Sequence, residues 1–337
     1  MGHINIPIFI PHLGCPNQCI FCNQRHISGQ IEFDEKNVVK QIEDVLSTVT
    51  DKDEVEIAFF GGSFTGIDRG LMIRLLDTAQ TYVCLGKVTG IRMSTRPDYI
   101  SDEILDILSK YTVNCVELGI QSMNDAVLSY LKRGHTTDDT KRAIKLLTSR
   151  KIPFVGQMMV GLPTATLEDE LECAEFICKS GAIGARIYPT LVFKQTELEE
   201  LLFNGEYVPL TLDEAVYRSS KVLGVFVREY VPCIRIGLCE SENLHSDSTF
   251  VAGPNHPSIG EMIKSELYLS ILIKELNEKN SSNSVIIECP RGATSQIVGN
   301  KRKNLEKLKE IFGFKKIKVI ENDFLEPYNI IINDKED

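Results

Sequence analysis

Residues 4–23 read INIPIFIPHLGCPNQCIFCN. Ile4 to Ile10 is a short apolar strand that runs straight into a loop carrying Cys15, Cys19 and Cys22 in a C-x3-C-x2-C spacing. Three closely spaced thiolates suit three irons of a [4Fe–4S] cube, whose closed form takes four cysteines. The missing fourth ligand would leave one iron open to a substrate or cofactor, the layout of a catalytic cluster. Two other readings of the same cysteines stand: buried thiols, or a zinc site completed by His12 or His26.

Outward from this stretch, the pattern of strand and then polar loop repeats. Val55 to Phe60, Val88 to Ser94, Asn114 to Ile120, Ile152 to Val160 and Ile183 to Pro189 read as mostly apolar strands. Between them, Val38 to Val49, Leu71 to Tyr82, Ser101 to Lys110, Asp139 to Ser149 and Leu167 to Ser180 have helical spacing. Six βα units with apolar strands predict an α/β fold with a parallel sheet under helices: a partial (β/α)6 TIM-like barrel. A small C-terminal α/β extension follows it. Chemistry in such a barrel belongs at the C-terminal strand ends. The unusual polar clusters fall there: the cysteines, Gly61-Gly62-Ser63, Thr95-Arg96-Pro97-Asp98, Gln121-Ser122 with Arg133-Gly134-His135, Gly161-Leu162-Pro163 and Tyr188-Pro189-Thr190. The expected organisation is a barrel over 1–215, a helix and strand extension closing it over 216–280, and a small basic α/β unit over 281–337.

Composition bounds the surroundings. The 337 residues are 43% hydrophobic and 25% charged, with a net charge of −10. No apolar run reaches the roughly 18 residues of a membrane span. Ten cysteines and an N-terminus that does not read as a signal peptide predict a reducing cytoplasm. No C-x2-C pair exists outside the first motif, so a second cluster built from Cys233, Cys239 and Cys289 is not expected. The negative balance disfavours general coating of nucleic acid, yet the tail is locally basic. Lys301 to Lys318 holds eight basic and two acidic residues. Its Gly299-Asn300-Lys301-Arg302 resembles a G-x-x-G nucleic-acid clamp broken at Arg302. Lys301, Arg302 and Lys303 are therefore either a solvated face or a patch that holds tRNA.

The clustered motifs carry a family resemblance. The cysteine loop with Phe21 before its third cysteine, and the Gly61-Gly62-Ser63 turn, resemble the radical S-adenosylmethionine (radical SAM) enzymes. Longer segments resemble the radical SAM half of the Elongator catalytic subunit, which modifies wobble uridine in tRNA. They are Gly61-Gly62-Ser63-Phe64-Thr65, Thr95-Arg96-Pro97-Asp98-Tyr99, Val116-Glu117-Leu118-Gly119-Ile120-Gln121-Ser122, Arg133-Gly134-His135-Thr136, Met159-Val160-Gly161-Leu162-Pro163 and Ile187-Tyr188-Pro189-Thr190-Leu191-Val192. Oxygen-independent coproporphyrinogen oxidases are similar more loosely.

The resemblance implies a [4Fe–4S] cluster on the three cysteines, S-adenosylmethionine on its open iron, and a reductant such as ferredoxin or flavodoxin. It places the SAM amino group on the backbone of Gly61, Gly62 and Ser63, and the ribose near Gln121 and Ser122. Arg133 falls to the carboxylate, His135 to its flank, and the adenine to Val160, Gly161 and Leu162. Ser94 stands where the family often has Glu, so a neutral hydroxyl replaces a carboxylate that could bind SAM. No catalytic residue is assigned beyond the cluster. The Elongator subunit continues into an acetyltransferase domain, and no Gly-rich acetyl-CoA loop is read after residue 215, so an acetyl-CoA-dependent reaction does not simply carry over. The resemblance makes tRNA the expected substrate. A small molecule or peptide, and a non-enzymatic iron–sulfur sensor, are the alternatives.

Overall fold

In the computed structural model, residues 3–11, 13–15, 18–23, 33–50, 53–238, 248–278 and 283–334 are described. The barrel begins with β1 (His3–Phe9), α1 (Val38–Leu46), β2 (Glu54–Phe60), α2 (Arg69–Cys84), β3 (Gly90–Thr95) and α3 (Asp102–Leu108). It continues with β4 (Val113–Gln121), α4 (Asp125–Tyr130), α5 (Thr137–Ser149), β5 (Phe154–Val160), α6 (Leu167–Lys179) and β6 (Gly184–Pro189). Beyond β6 lie β7 (Val192–Phe193), α7 (Glu197–Phe203), α8 (Leu212–Arg228), β8 (Cys233–Ile236) and β9 (Phe250–Ala252).

Among the described residues, β1-β2-β3-β4-β5-β6-β8 pair in that order, all parallel. The six expected strands thus gain a seventh, β8, delivered by the crossover through α8. The sheet curls, because residues from all seven strands line one cavity. Its outer face takes the apolar residues, Ile6, Ile8, Ile57, Phe59, Ile91, Met93, Val116, Leu118 and Met158, against the helices. Its inner face takes the polar ones. That division explains why the strands are buried on both sides yet not wholly apolar.

Local capping agrees with this arrangement. Thr136, Thr166 and Thr211 close capping boxes with Asp139, Asp169 and Glu214 at the starts of α5, α6 and α8. Such a cap contributes about 1 kcal/mol. Ser101 accepts from the Ile104 amide to open α3.

The chain then forms α9 (Ile259–Asn277), β10 (Ser284–Pro290), α10 (Thr294–Val298), α11 (Lys303–Phe312), β11 (Lys316–Asn322) and β12 (Ile331–Asp334). Strands β11, β10 and β12 make a separate three-stranded sheet with its own core. Helix α9 serves both cores. Ile259, Ile263 and Leu267 pack on the barrel, while Tyr268, Leu269, Leu272 and Leu276 pack in the small unit. No described helix is long and apolar enough to cross a membrane.

Candidate active site

The cysteine loop is held by backbone contacts that need glycine. The Ser63 amide donates to the Leu13 carbonyl at 3.1 Å. A Cβ on Gly62 would lie 2.5 Å from that carbonyl oxygen, and one on Gly14 (φ +72°) would lie 2.2 Å from Ser63 O. Real side chains never come so close, so only glycine lets the loop press onto the turn after β2. On its other side the loop is pinned through Ile20, whose amide donates to Leu131 O at 3.2 Å and whose carbonyl accepts from the Leu198 amide at 2.8 Å. Ile20 packs with Val127, Leu131, Met159, Leu162 and Leu198.

Cys15, Cys19 and Cys22 all line one cavity of about 1030 Å³. Phe21, Gly61, Gly62, Ser94, Gln121 and Arg133 line it too. Arg133 is fixed by its amide, which donates to Leu128 O at 3.0 Å, and lies in a tight loop between Lys132 (φ +52°) and Gly134 (φ +81°). One guanidinium nitrogen lies 3.5 Å from Cys19 Sγ, another donates to Gly119 O at 3.2 Å, and its buried Nε has no partner. Gly119 is the floor under this arginine, since a Cβ there would sit 2.8 Å from Arg133 Nη2. Gln121 sits at a register shift in β4 with φ +67°, which turns its side chain into the lumen against Gln157 in a reciprocal amide pair of 3.0 and 2.8 Å. Ser94 Oγ donates weakly to Gly62 O at 3.3 Å, bracing the glycine turn.

The other expected residues lie outside the cavity lining. Ser63 is fully buried, accepts from the Arg96 amide at 3.0 Å and contacts Thr95 Oγ1 at 3.2 Å. Ser122 Oγ accepts from the Asn124 amide. Gly161 is clamped: its amide donates to Glu170 at 2.7 Å and its carbonyl accepts from Tyr207 Oη at 2.8 Å. Leu162 belongs to the cluster around Ile20, and Val160 is fully buried. His135 is 3% exposed, and neither ring nitrogen makes a well-formed hydrogen bond, although the Ile120 backbone lies close. Burial first, then the neighbouring Arg133 charge, pushes its pKa down to about 4, so it is neutral at pH 7.

The Thr95-Arg96-Pro97-Asp98 motif brings a second arginine, Arg96, to the site. Arg96 lines the cavity, pairs with Asp98 at 2.9 and 2.7 Å, and keeps one buried nitrogen without a partner. With Arg133 it opposes the burial that pushes the Cys15 thiol up. Burial outweighs the two guanidiniums at Cys15, so they act toward thiolate, the form that binds metal, without reaching it. The all-sulfur donor set suits iron–sulfur or zinc. Among the described residues no three His, Cys, Asp or Glu converge on a single ion, whereas a cube takes each thiolate at a separate iron. His12, His26 and Cys239 lie outside the described residues. Of the remaining cysteines, Cys115 and Cys233 have thiols pushed up to about 12 by burial, as inert packing thiols do. Cys84 is exposed at the end of α2.

Deeper in the lumen lies a network that the sequence reading missed. Glu56 accepts from Arg92 Nε (2.9 Å) and Asn114 (2.8 Å) and contacts His3 (2.8 Å), and Glu117 joins Arg92 to Arg186. The available signal was the alternation of charged and apolar residues in otherwise buried strands.

The comparisons agree with this geometry. The family model described as Radical SAM superfamily matches residues 9–177, and that of the Radical_SAM C-terminal domain matches residues 183–268. An uncharacterized protein of Methanocaldococcus jannaschii is 34% identical, with 64% of this chain and 68% of that protein covered. The tRNA uridine(34) acetyltransferase of the same organism is 33% identical over 37% of this chain and 24% of its own length. Elongator complex protein 3 of Saccharomyces cerevisiae is 28% identical over 51% and 35%. The chain thus spans well under half of these last two relatives. The solved structure of the archaeal Methanocaldococcus infernus Elp3 with an N-terminal deletion shares the fold, with a TM-score of 0.62 at 22% identity over 82% of this chain and 64% of that one.

Proposed function

This chain belongs to the radical SAM superfamily of enzymes, and from that premise we propose that it cleaves S-adenosylmethionine reductively and acts on tRNA. The observation that carries the reading is the meeting of all three cysteines with Gly61, Gly62, Gln121 and Arg133 on one cavity. Cys15, Cys19 and Cys22 would hold a [4Fe–4S] cluster. When bound, such a cluster supplies the electron that breaks S-adenosylmethionine into methionine and a 5′-deoxyadenosyl radical.

The chain's own groups bind, orient and exclude water. Arg133 presents a fixed guanidinium suited to the methionyl carboxylate. Gly61 and Gly62 leave backbone open beside it, and the Gln121–Gln157 pair offers amide groups to a ribose. Phe21, Phe60 and Met159 cover the lumen with apolar surface. Ser63 acts on this site from behind, by holding the amide of Arg96, which lines it. A ferredoxin- or flavodoxin-type reductant in a reducing cytoplasm supplies the electron.

Two things support tRNA as the substrate: the relatives named for tRNA uridine(34) and Elongator, and the exposed basic loop at Lys301, Arg302 and Lys303. The test is anaerobic reconstitution followed by assay of iron, sulfide and 5′-deoxyadenosine under a reductant. Replacing Cys15, Cys19 and Cys22 together by Ala should abolish all three signals, and a triple variant that still forms 5′-deoxyadenosine ends the reading. Mass spectrometry of total tRNA from cells lacking the gene should show a changed wobble nucleoside. An unchanged profile moves the substrate to a small molecule or peptide.

A further inference from the structure

Across the lumen wall, charge alternates through β2, β3, β4 and β6, with the neutral Gln157 of β5 between the last two. Glu56 on β2 pairs with Arg92 on β3, Arg92 with Glu117 on β4, and Glu117 with Arg186 on β6. The next strand, β8, breaks the alternation by adding Arg235. Arg186 and Arg235 are register partners on adjacent parallel strands, and both line the cavity. Among the described residues, no Asp or Glu pairs with Arg235.

Each of the two arginines also keeps a buried Nε with no hydrogen-bond partner. Arg186 is only 9% exposed. Its other nitrogens are occupied by Glu117 and by Tyr188 Oη at 3.1 Å, and its guanidinium lies over the Phe60 ring at 5.5 Å. The free donor is therefore held in place rather than loose. Buried charges in proteins are ordinarily paired, and a buried donor without a partner is costly. Two like charges on neighbouring strands add repulsion. Such an arrangement is explained where a ligand completes it. This edge of the sheet is the far one, in strand order, from β1, which carries the cysteine loop.

We propose that Arg186 and Arg235 form an oxyanion subsite that holds a carboxylate or phosphate group of the substrate against the β6–β8 wall. The inference rests on the cavity being the reaction chamber described above. The subsite fixes the substrate's anionic end at mid-strand, leaving its other end directed toward the cysteine rim. Planar guanidinium forks bind both anions in two-pronged fashion. A phosphate here would come from a nucleotide and a carboxylate from an acid or peptide end, so the preferred anion discriminates the substrate classes.

The test uses the reconstituted protein with S-adenosylmethionine bound, with acetate and inorganic phosphate as probes in titration calorimetry and thermal melting. At least one anion should bind the wild type and raise its Tm, and Arg235→Gln should weaken that binding at least tenfold. Iron content and affinity for S-adenosylmethionine should not change. Without anion, R235Q should melt no lower than the wild type, because it removes a charge beside Arg186 and a buried Nε that has no partner. Arg235→Lys keeps the charge without the fork and should retain part of the binding, which also guards against a folding failure of R235Q. Tighter phosphate assigns a phosphate subsite; tighter acetate assigns a carboxylate one. Failure of both anions to bind, or equal binding by R235Q, overturns the proposal. Cleavage of S-adenosylmethionine without anion binding sinks this inference alone, whereas anion binding without cleavage sinks the functional reading and leaves the subsite standing.

Discussion

In the barrel, Arg92, Arg96, Arg133, Arg186 and Arg235 face one cavity. In the C-terminal unit, Lys301, Arg302, Lys303, Lys315, Lys316 and Lys318 face outward and are exposed. Four of the five barrel arginines have a specific partner or a fixed backbone contact. The exposed bases of the tail stand in high dielectric, where single ion pairs are worth little. Inside the barrel, a charge decides geometry and stability and is shielded from salt. On the tail, a charge changes little in the fold and acts at a distance on an anionic partner, in a way that salt screens. A negative overall chain thus carries positive charge in two physically different forms.

The comparison breaks most sharply if an interior ion pair proves dispensable. Glu170 is 2% exposed, accepts from Arg218 at 2.9 and 2.6 Å, and also holds the Gly161 amide. Its carboxyl is raised by burial in spite of Arg218. Arg218→Met should strand that carboxyl and cost about 3–5 kcal/mol, read from the urea midpoint. A loss below about 1 kcal/mol, the range of a surface pair, would erase the distinction.

His135 gives the next largest effect. Its folded pKa of about 4 lies below its ordinary 6.5. The unfolded chain therefore takes up a proton between these values while the folded chain does not. Stability from this group is complete above about pH 6.5 and falls as the pH drops toward 4, by about 3 kcal/mol in all. Urea denaturation across this window should show the slope in the wild type, and His135→Gln should flatten it. An unchanged slope would mean that other groups carry the acid sensitivity.

The smallest stability effect belongs to the tail. Lys301 (φ +50°) and Arg302 (φ +64°) both occupy the left-handed region, next to Gly299. Replacing both with Gly relieves that strain, and stability should shift by no more than about 1 kcal/mol at each position. If the loop binds tRNA, the same variant should lose affinity and lower the salt slope by roughly one for each phosphate contact removed. Filter binding at several salt concentrations measures this. Unaltered affinity would make the loop a solvated face, and a large loss of stability would show that tail charge is structural after all.

Much of the barrel was legible because parallel βα units leave a local signature of apolar strands with helical spacing between them. The expected strands match β1 to β6 to within a few residues at each end. The helices α4 and α7 were harder to read: they are six and seven residues long and too short for periodicity to stand out. Strand β8 was visible as a strand, but nothing local said that it joins the main sheet, because a four-residue element gains its place only from pairing with β6. Cysteine spacing brought three of the cavity residues into view. The motif glycines were visible too, but one of their reasons was not: Gly14 and Gly62 are required by the cysteine loop's own backbone.

The sequence by itself determined the three-thiol loop, the alternating architecture and the placement of polar motifs at strand ends, since spacing and periodicity are properties of neighbours along the chain. Tertiary structure alone decided which motif residues face the lumen and which stand behind it. It alone also joined Glu56, Arg92, Glu117 and Arg186 across four strands and set Arg235 beside them, paired with no described Asp or Glu. These facts depend on strand register, twist and burial, which couple residues 25 to 69 positions apart in energy but leave no pattern between them in sequence.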